Sequence, residues 1–350
     1  MNREELLGKV RRGEVLEGLD LGGLDLSGAD LGGGAFEHCR FRGARLGKAS
    51  LAETILHECD LSGAELTGAS LRHATFIKVS LVDARLSLAC LTAARLVECD
   101  LTRADFTAAA LEIAQLVKPK LEHACFAKTV LDRVALLEPD GTDGLDLRGA
   151  RLKQTVLMAA DLRTARFEGA SFELAVMNDC DLSGQSFAGM SLALTQLSKA
   201  KLAGCDLSGA DVERCNFHEA DLAGATLDGV LGRHAMFFGA KLAGASLKKA
   251  RLGGSVWNES ELTGANFEGA ELRESVLQKV SAAKCRFANA DLSYADFSHA
   301  DLSDCDFTGA KLFRARLHKA KTAGAKLPLL SGALGDDSDL AEAEAFEPKH

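Results

Sequence analysis

Residues 290–309 read Ala290-Asp291-Leu292-Ser293-Tyr294, Ala295-Asp296-Phe297-Ser298-His299, Ala300-Asp301-Leu302-Ser303-Asp304, Cys305-Asp306-Phe307-Thr308-Gly309. A large apolar residue recurs at every fifth position. A small residue stands two places before it and an acid immediately before it. The same frame extends from Leu147 to Leu327 and holds 37 such centres. A second frame, from Leu21 to Leu136, holds 24, all Leu or Phe. The two are offset because Leu136 to Leu147 spans eleven residues instead of ten. Of the 61 centres, 58 are large and apolar; the exceptions are Gly232, Ala282 and Thr322. Self-similarity on this scale overrides any count of domains taken from the 350-residue length.

With each centre called i, position i−2 is nearly always small, as at Ala44, Ala104, Ala210 and Ala300. Position i−1 is often Asp, Arg or Lys, i+1 often Ser or Thr, and i+2 often Gly. Placing i−2 and i inward is the alternation of a strand. Turn-forming positions stretch that period of two to five. A helix needs a period near 3.6, around which a strict five smears.

The units Ala29-Asp30-Leu31-Gly32-Gly33, Ala290-Asp291-Leu292-Ser293-Tyr294 and Ala300-Asp301-Leu302-Ser303-Asp304 fit an A(D/N)LXX consensus. On these residues the chain resembles the pentapeptide-repeat family over about 19–327. The resemblance implies an all-β fold, a right-handed quadrilateral parallel β-helix with four pentapeptides, so about 20 residues, per coil. Coils stack at the sheet spacing of about 4.8 Å. Each buried Leu contributes about 1.5–3 kcal/mol, and stacking closes a core that no single coil closes alone.

The expected organisation is an N-terminal cap over 1–18, β-helix over 19–136, a loop or kink over 137–146, β-helix over 147–327, and an acidic tail or short helix over 328–350. Asn2 and Glu5 have the spacing of a capping box ahead of Leu6, Leu7 and Val10, so 2–12 reads as a helix covering one open end. Pro139, Gly141 and Gly144 mark the loop. Asp336 to Phe346 reads as a second short helix or a disordered tail.

Net charge is −9, but residues 1–136 and 137–327 each carry −2 and the last 23 residues −5. A near-neutral body disfavours direct nucleic-acid binding. No apolar run suits membrane insertion, and no signal peptide opens the chain. Eight of the ten Cys (Cys39, Cys59, Cys99, Cys180, Cys205, Cys215, Cys285 and Cys305) fall at i−2, the small inward slot. There Cys acts as a larger Ala. Only Cys90 and Cys125 sit at i−1, and there is no CxxC. Reduced thiols point to a reducing compartment, and the expected location is the cytoplasm, bacterial as the resemblance implies, with secretion by a signal-less route left open.

His38, His57 and Glu58 share one face, but a metal site needs three or four converging ligands, and a solvated face is the simpler reading. No Ser–His–Asp set, phosphate loop or dinucleotide motif occurs. Catalysis needs a concave, water-excluding site, and a filled prism offers none. The expectation is therefore no enzyme, no catalytic residues, no cofactor and no metal.

Residues 20 apart should stack. One column reads Asp20, Arg40, Asp60, Ser80, Asp100, Lys120; a second Asp25, Arg45, Glu65, Arg85, Asp105. Others read Glu58, Lys78, Glu98, Lys118, Glu138 and Asp161, Asp181, Lys201, Asp221, Lys241, Glu261. Charges alternate up much of each, as cross-strand pairing favours. One side differs. It carries Ile77, Val97, Val117 and Leu137 at i+1 and, after the frame slip, Val156, Val176, Met236, Val256 and Val276 at i−1, diluted by Gln196 and Asn216. Contiguous exposed apolar surface marks interfaces, while β-propensity alone also places Val and Ile in strands.

These nine residues are the expected interaction face of a non-catalytic scaffold or adaptor with one or more protein partners, a second copy of the chain among them. The resemblance implies two roles. One is an accessory of a bacterial secretion machine. The alternative is a DNA mimic that binds DNA gyrase or topoisomerase IV, which a near-neutral surface suits poorly.

Overall fold

The Leu21 amide donates to the Arg40 carbonyl at 2.7 Å, and the Arg40 amide donates to the Leu19 carbonyl at 2.8 Å. This parallel exchange between residues 20 apart repeats along the chain; Leu222 N–H to Lys241 C=O and Lys241 N–H to Ala220 C=O are an instance far from the first. The computed structural model describes residues 1–328 and 332–345, in two compact units, Met1–Asp181 and Leu182–His350. Each coil has four sides, since bridged positions recur every five residues and pair with partners 20 further on. The fold is a right-handed quadrilateral parallel β-helix.

In the first unit, helix α1 (Arg3–Arg11) precedes eight three-residue strands: β1 (Val15–Glu17), β2 (Ala35–Glu37), β3 (Ile55–His57), β4 (Thr75–Ile77), β5 (Arg95–Val97), β6 (Gln115–Val117), β7 (Ala135–Leu137) and β8 (Val156–Met158). They form one parallel sheet in sequential order on one side of the coil. The other sides carry single bridges between tight turns. Asn2 Oδ1 accepts from the Glu5 amide and Glu5 Oε2 from the Asn2 amide, a complete capping box, and α1 buries Leu6, Leu7 and Val10.

Local chemistry explains the repeat. The centre's carbonyl accepts the amide of i+3, as from Ala29 to Leu26 at 2.9 Å. Position i+2 between them is left-handed, at φ 61° for Gly28 and 55° for Lys48. An Asp at i−1 accepts the amide of i+1, as Asp60 does from Ser62 at 2.9 Å and Asp206 from Ser208 at 2.9 Å. This side-chain turn bond accounts for the Asp-Leu-Ser run. Centres and i−2 residues fill the interior; Leu101, Phe106, Phe237 and Trp257 are fully buried. Polar groups in the i−2 slot donate to a centre's carbonyl in the preceding coil: Cys205 Sγ to Leu182, Thr129 Oγ1 to Phe106, Ser275 Oγ to Leu252. Gly232 stands at an inward position already occupied from both neighbouring coils, since a Cβ there would lie 2.9 Å from Leu252 and 3.0 Å from Val212.

At 137–146, where the period slips, the ladder runs on. Lys120 pairs with Asp140 at an interval of 20, and Cys125 with Asp146 and Val130 with Arg151 at 21. The extra residue is taken up between Asp140 and Asp146, and β7 pairs with β8 directly. In the chain, the division between the two compact units falls at Asp181–Leu182. Asp146 secures the insertion: its carboxylate takes both Arg148 (2.8 Å) and Arg166 (2.5 Å). Arg148 above all holds its pKa down, at about 2.

In the second unit, Leu334 adds to the last coils by pairing with Arg316, and helix α2 (Ser338–Glu344) follows, capped by Asp337 and burying no residue. Phe346, expected at the end of this helix, lies outside the described residues.

Two outcomes follow from these constraints. Ile113 is a β-branched residue held at φ 57°, a conformation that penalises any L side chain by about 1–2 kcal/mol and glycine not at all. Ile113→Gly should raise the unfolding free energy by a net of about 0.5–1 kcal/mol after glycine's entropy cost, read as a raised denaturant midpoint; a lowered midpoint would contradict the turn assignment. Asp146 has a folded pKa below its ordinary value, so its stabilisation is complete above pH ~4 and is lost as pH falls toward 2. Asp146→Asn should lower stability at neutral pH and flatten this part of the acid limb, read by melting temperature against pH.

Candidate interaction face

The side formed by β1–β8 is extended where the others turn, and its flanking positions hold Val15, Ile55, Thr75, Ile77, Val97, Val117 and Val156, residues suited to a pleated, half-buried surface. Register brings Ile77, Val97, Val117 and Leu137 onto four successive rungs, each the direct partner of the next. Rungs are about 4.8 Å apart, so the four side chains form a continuous half-exposed column. The column does not end at the frame slip. Leu137 pairs with Met158, which is exposed. Val156 pairs with Ala135 and then Val176, in the parallel column on the other flank of the buried centres.

The first-unit face is thus two adjacent columns, five rungs of Ile77, Val97, Val117, Leu137 and Met158 beside three of Ala135, Val156 and Val176. Towards α1 the same sheet exposes Val15 (61%) and Ile55 (50%). Next to the apolar column, at i+2, runs the ladder Glu58, Lys78, Glu98, Lys118 and Glu138, closed by Lys78–Glu58 at 3.5 Å and Lys118–Glu138 at 3.7 Å. An apolar strip with a charged border has the anatomy of an interface core and rim.

In the second unit Met236, Val256 and Val276 pair successively and lie half-exposed or exposed. Beneath them Phe237 stacks on Trp257 at 4.0 Å, and the indole N–H donates to Ser255 Oγ at 2.6 Å. Phe238, exposed two residues from Met236, stacks on His218 at 5.3 Å. Asn216 precedes Met236 in this column and donates to Gln196, and Asp296 and Arg316 follow Val276, so the apolar run covers three rungs.

The reading of the sequence did not include Met158, Val15, Ile55 or Phe238. The signal for Met158 was present in the eleven-residue interval, which shifts the partner of Leu137 by one position.

The remaining sides carry the charge columns. Asp20, Arg40, Asp60, Ser80, Asp100 and Lys120 pair in that order. So do Asp25, Arg45, Glu65, Arg85 and Asp105, with Arg45–Asp25 at 3.3 Å and Arg85–Glu65 at 3.6 Å. Asp161 and Asp181 are like-charged partners, and Arg163 reaches both, at 2.7 and 3.9 Å. Each exposed pair contributes little alone, ~0–1 kcal/mol.

Glu58 gathers His38, His57 and Lys78 within 4 Å as an ion-pair cluster. The ten cysteines are all unbridged, and burial pushes the thiols of Cys99 and Cys180 up to about 11 and that of Cys215 to about 12, which holds them protonated and inert.

The profile of pentapeptide repeats matches two blocks of the chain, 20–118 and 143–327, in overlapping copies. The chain belongs to the pentapeptide-repeat family. Among solved structures it is similar to HetL, a pentapeptide-repeat protein involved in heterocyst differentiation regulation in the cyanobacterium Nostoc sp. strain PCC 7120 (27% identity over 90% of this chain and 96% of that one, TM-score 0.23). It is also similar to a pentapeptide-repeat protein of the Arabidopsis thaliana thylakoid lumen (34% identity over 30% of this chain and 73% of that one, TM-score 0.29). A third is QnrB1, a plasmid-mediated fluoroquinolone resistance protein (22% identity over 53% of this chain and 84% of that one, TM-score 0.34). No curated protein matches. No helix among the described residues is long and apolar enough to cross a membrane.

Proposed function

We propose that the protein is a non-catalytic protein-interaction scaffold whose docking surface is the apolar column of the β1–β8 side. The observation that carries this reading is the register itself, which sets Ile77, Val97, Val117, Leu137 and Met158 on consecutive rungs at the surface of a rigid, hydrogen-bonded sheet. The interior supports it as well, because among the described residues it is filled by buried Leu, Phe and Ala side chains. The finer role in this proposal, an accessory of a secretion machine in the bacterial cytoplasm, rests on the family resemblance.

DNA mimicry is less favoured. It needs a surface that imitates about one negative charge per 1.7 Å, and here acids alternate with bases along the bridged columns. The likeness to QnrB1 concerns the fold alone.

The test pairs affinity capture with the double variant Val117→Glu/Val176→Glu. Both side chains are half-exposed, so the variant should keep its circular dichroism and melting temperature while losing the captured partner or self-association by tenfold or more. A variant that folds and captures the same partners removes this side as the docking surface. Retained capture of gyrase or topoisomerase IV subunits would favour mimicry.

A further inference from the structure

Helix α2 buries no side chain, so hydrophobic packing does not hold it to the coils. What meets it is a cluster around Glu344. Glu344 Oε1 lies 2.9 Å from His299 Nε2, and Oε2 lies 3.5 Å from His318 Nε2 and 2.5 Å from Lys319 Nζ. His318 is 2% exposed, and its Nε2 is a buried polar atom with no hydrogen-bond partner among the described residues. A buried, unsatisfied imidazole nitrogen is costly unless something meets it.

We propose that His299, His318 and Glu344 form a binding site for a divalent transition ion of the zinc class, which staples α2 onto the last coils. Their ligand atoms all lie within 4.8 Å of one another. On a tetrahedral ion with bonds of about 2.0–2.1 Å, ligand atoms sit roughly 3.3–3.4 Å apart. The two His–Glu separations already bracket that value. Two imidazoles and one carboxylate suit zinc and its borderline neighbours, leaving a fourth position for water.

The surrounding groups fit an incoming dication. His318 Nδ1 accepts the Asp337 amide at 3.1 Å, which puts the neutral ring's proton on Nε2. The ion displaces that proton to solvent. The ring then takes up a proton at Nδ1, where Asp336 Oδ1, 3.9 Å away, is placed to accept it once the Asp337 amide turns aside. Carboxylate behind histidine behind metal is a common outer-shell arrangement. Asp336 and Glu344 together balance the two positive charges. Lys319, 42% exposed on a flexible stem, yields its place on Glu344 and swings into solvent. Because two ligands come from the coils and one from α2, binding couples to the docking of the helix.

The test uses the full chain after chelator treatment, titrated with Zn2+ by calorimetry and with Co2+ by visible absorption. The expected result is one ion per chain, Co2+ bands of a nitrogen and oxygen site without thiolate charge transfer, and slowed amide exchange over 332–345 when Zn2+ is bound. His299→Ala and Glu344→Gln should each weaken binding at least tenfold and abolish that slowing. Both lie at the surface, and Glu344 is on a helix that contributes nothing to the core, so these variants keep the coils folded. His318→Ala, which opens a buried position, is read only beside a melting curve. Absence of stoichiometric binding, thiolate bands, or equal affinity in His299→Ala and Glu344→Gln would overturn the site.

Discussion

Everything in this protein depends on the backbone hydrogen bond that joins a residue to its counterpart one coil, 20 residues, away. That bond sets the spacing of coils, and it also sets the register. A slip by one residue would carry charged i−1 side chains into the interior and Leu or Phe into water. The centres, all but a few of them Leu or Phe, make such a slip prohibitive, so side chains and ladder enforce each other. The same interval turns a list of surface residues into columns, which is why Asp25, Arg45, Glu65, Arg85 and Asp105 become neighbours.

A second constraint acts at i+2. Each quarter-turn needs a residue in the left-handed region, and glycine supplies it at Gly28 or Gly209 while Lys48, Glu98, Ile113 and Tyr294 adopt it under tension. The penalty is repeated many times and is offset by the buried layers on either side. With the backbone committed to turns and ladders and the interior committed to apolar packing, outward side chains are the only positions free to vary. Chemical variety in such a molecule therefore lies on its faces, and the β1–β8 side carries the apolar column of Ile77, Val97, Val117, Leu137 and Met158.

Much of this was legible in the residues. The period of five reveals the inward set, including eight cysteines in the i−2 slot, and the 20-residue coil that the resemblance implies puts Asp20 to Lys120 and Asp25 to Asp105 in the order in which they pair. The capping box of Asn2 and Glu5 was readable because its chemistry is local. Other features were not. Pro139, Gly141 and Gly144 mark a loop, but only the pairing shows that its extra residue lengthens the interval to 21 and makes Met158 the partner of Leu137. The cluster of His299, His318 and Glu344 had no sequence signal, since the two histidines occupy i+2 of one coil and i+1 of the next, and the carboxylate arrives from outside the repeat. Left-handed Ile113 was equally hidden, because local propensity argues against it and only the closed ladder imposes it.

The most direct measurement compares two deletions in the first unit, one of residues 61–80 and one of residues 61–75. Both remove whole pentapeptides and leave every inward position in frame, but only the first removes one complete coil. The 20-residue interval predicts that the first deletion retains a cooperative denaturant transition close to that of the intact chain, while the second rotates every following side by a quarter-turn, mismatches the β3 side against a turn side and is destabilised. Equal stability of the two deletions would contradict the account, because it would mean that pentapeptides, and not coils, are the unit in which the ladder is built.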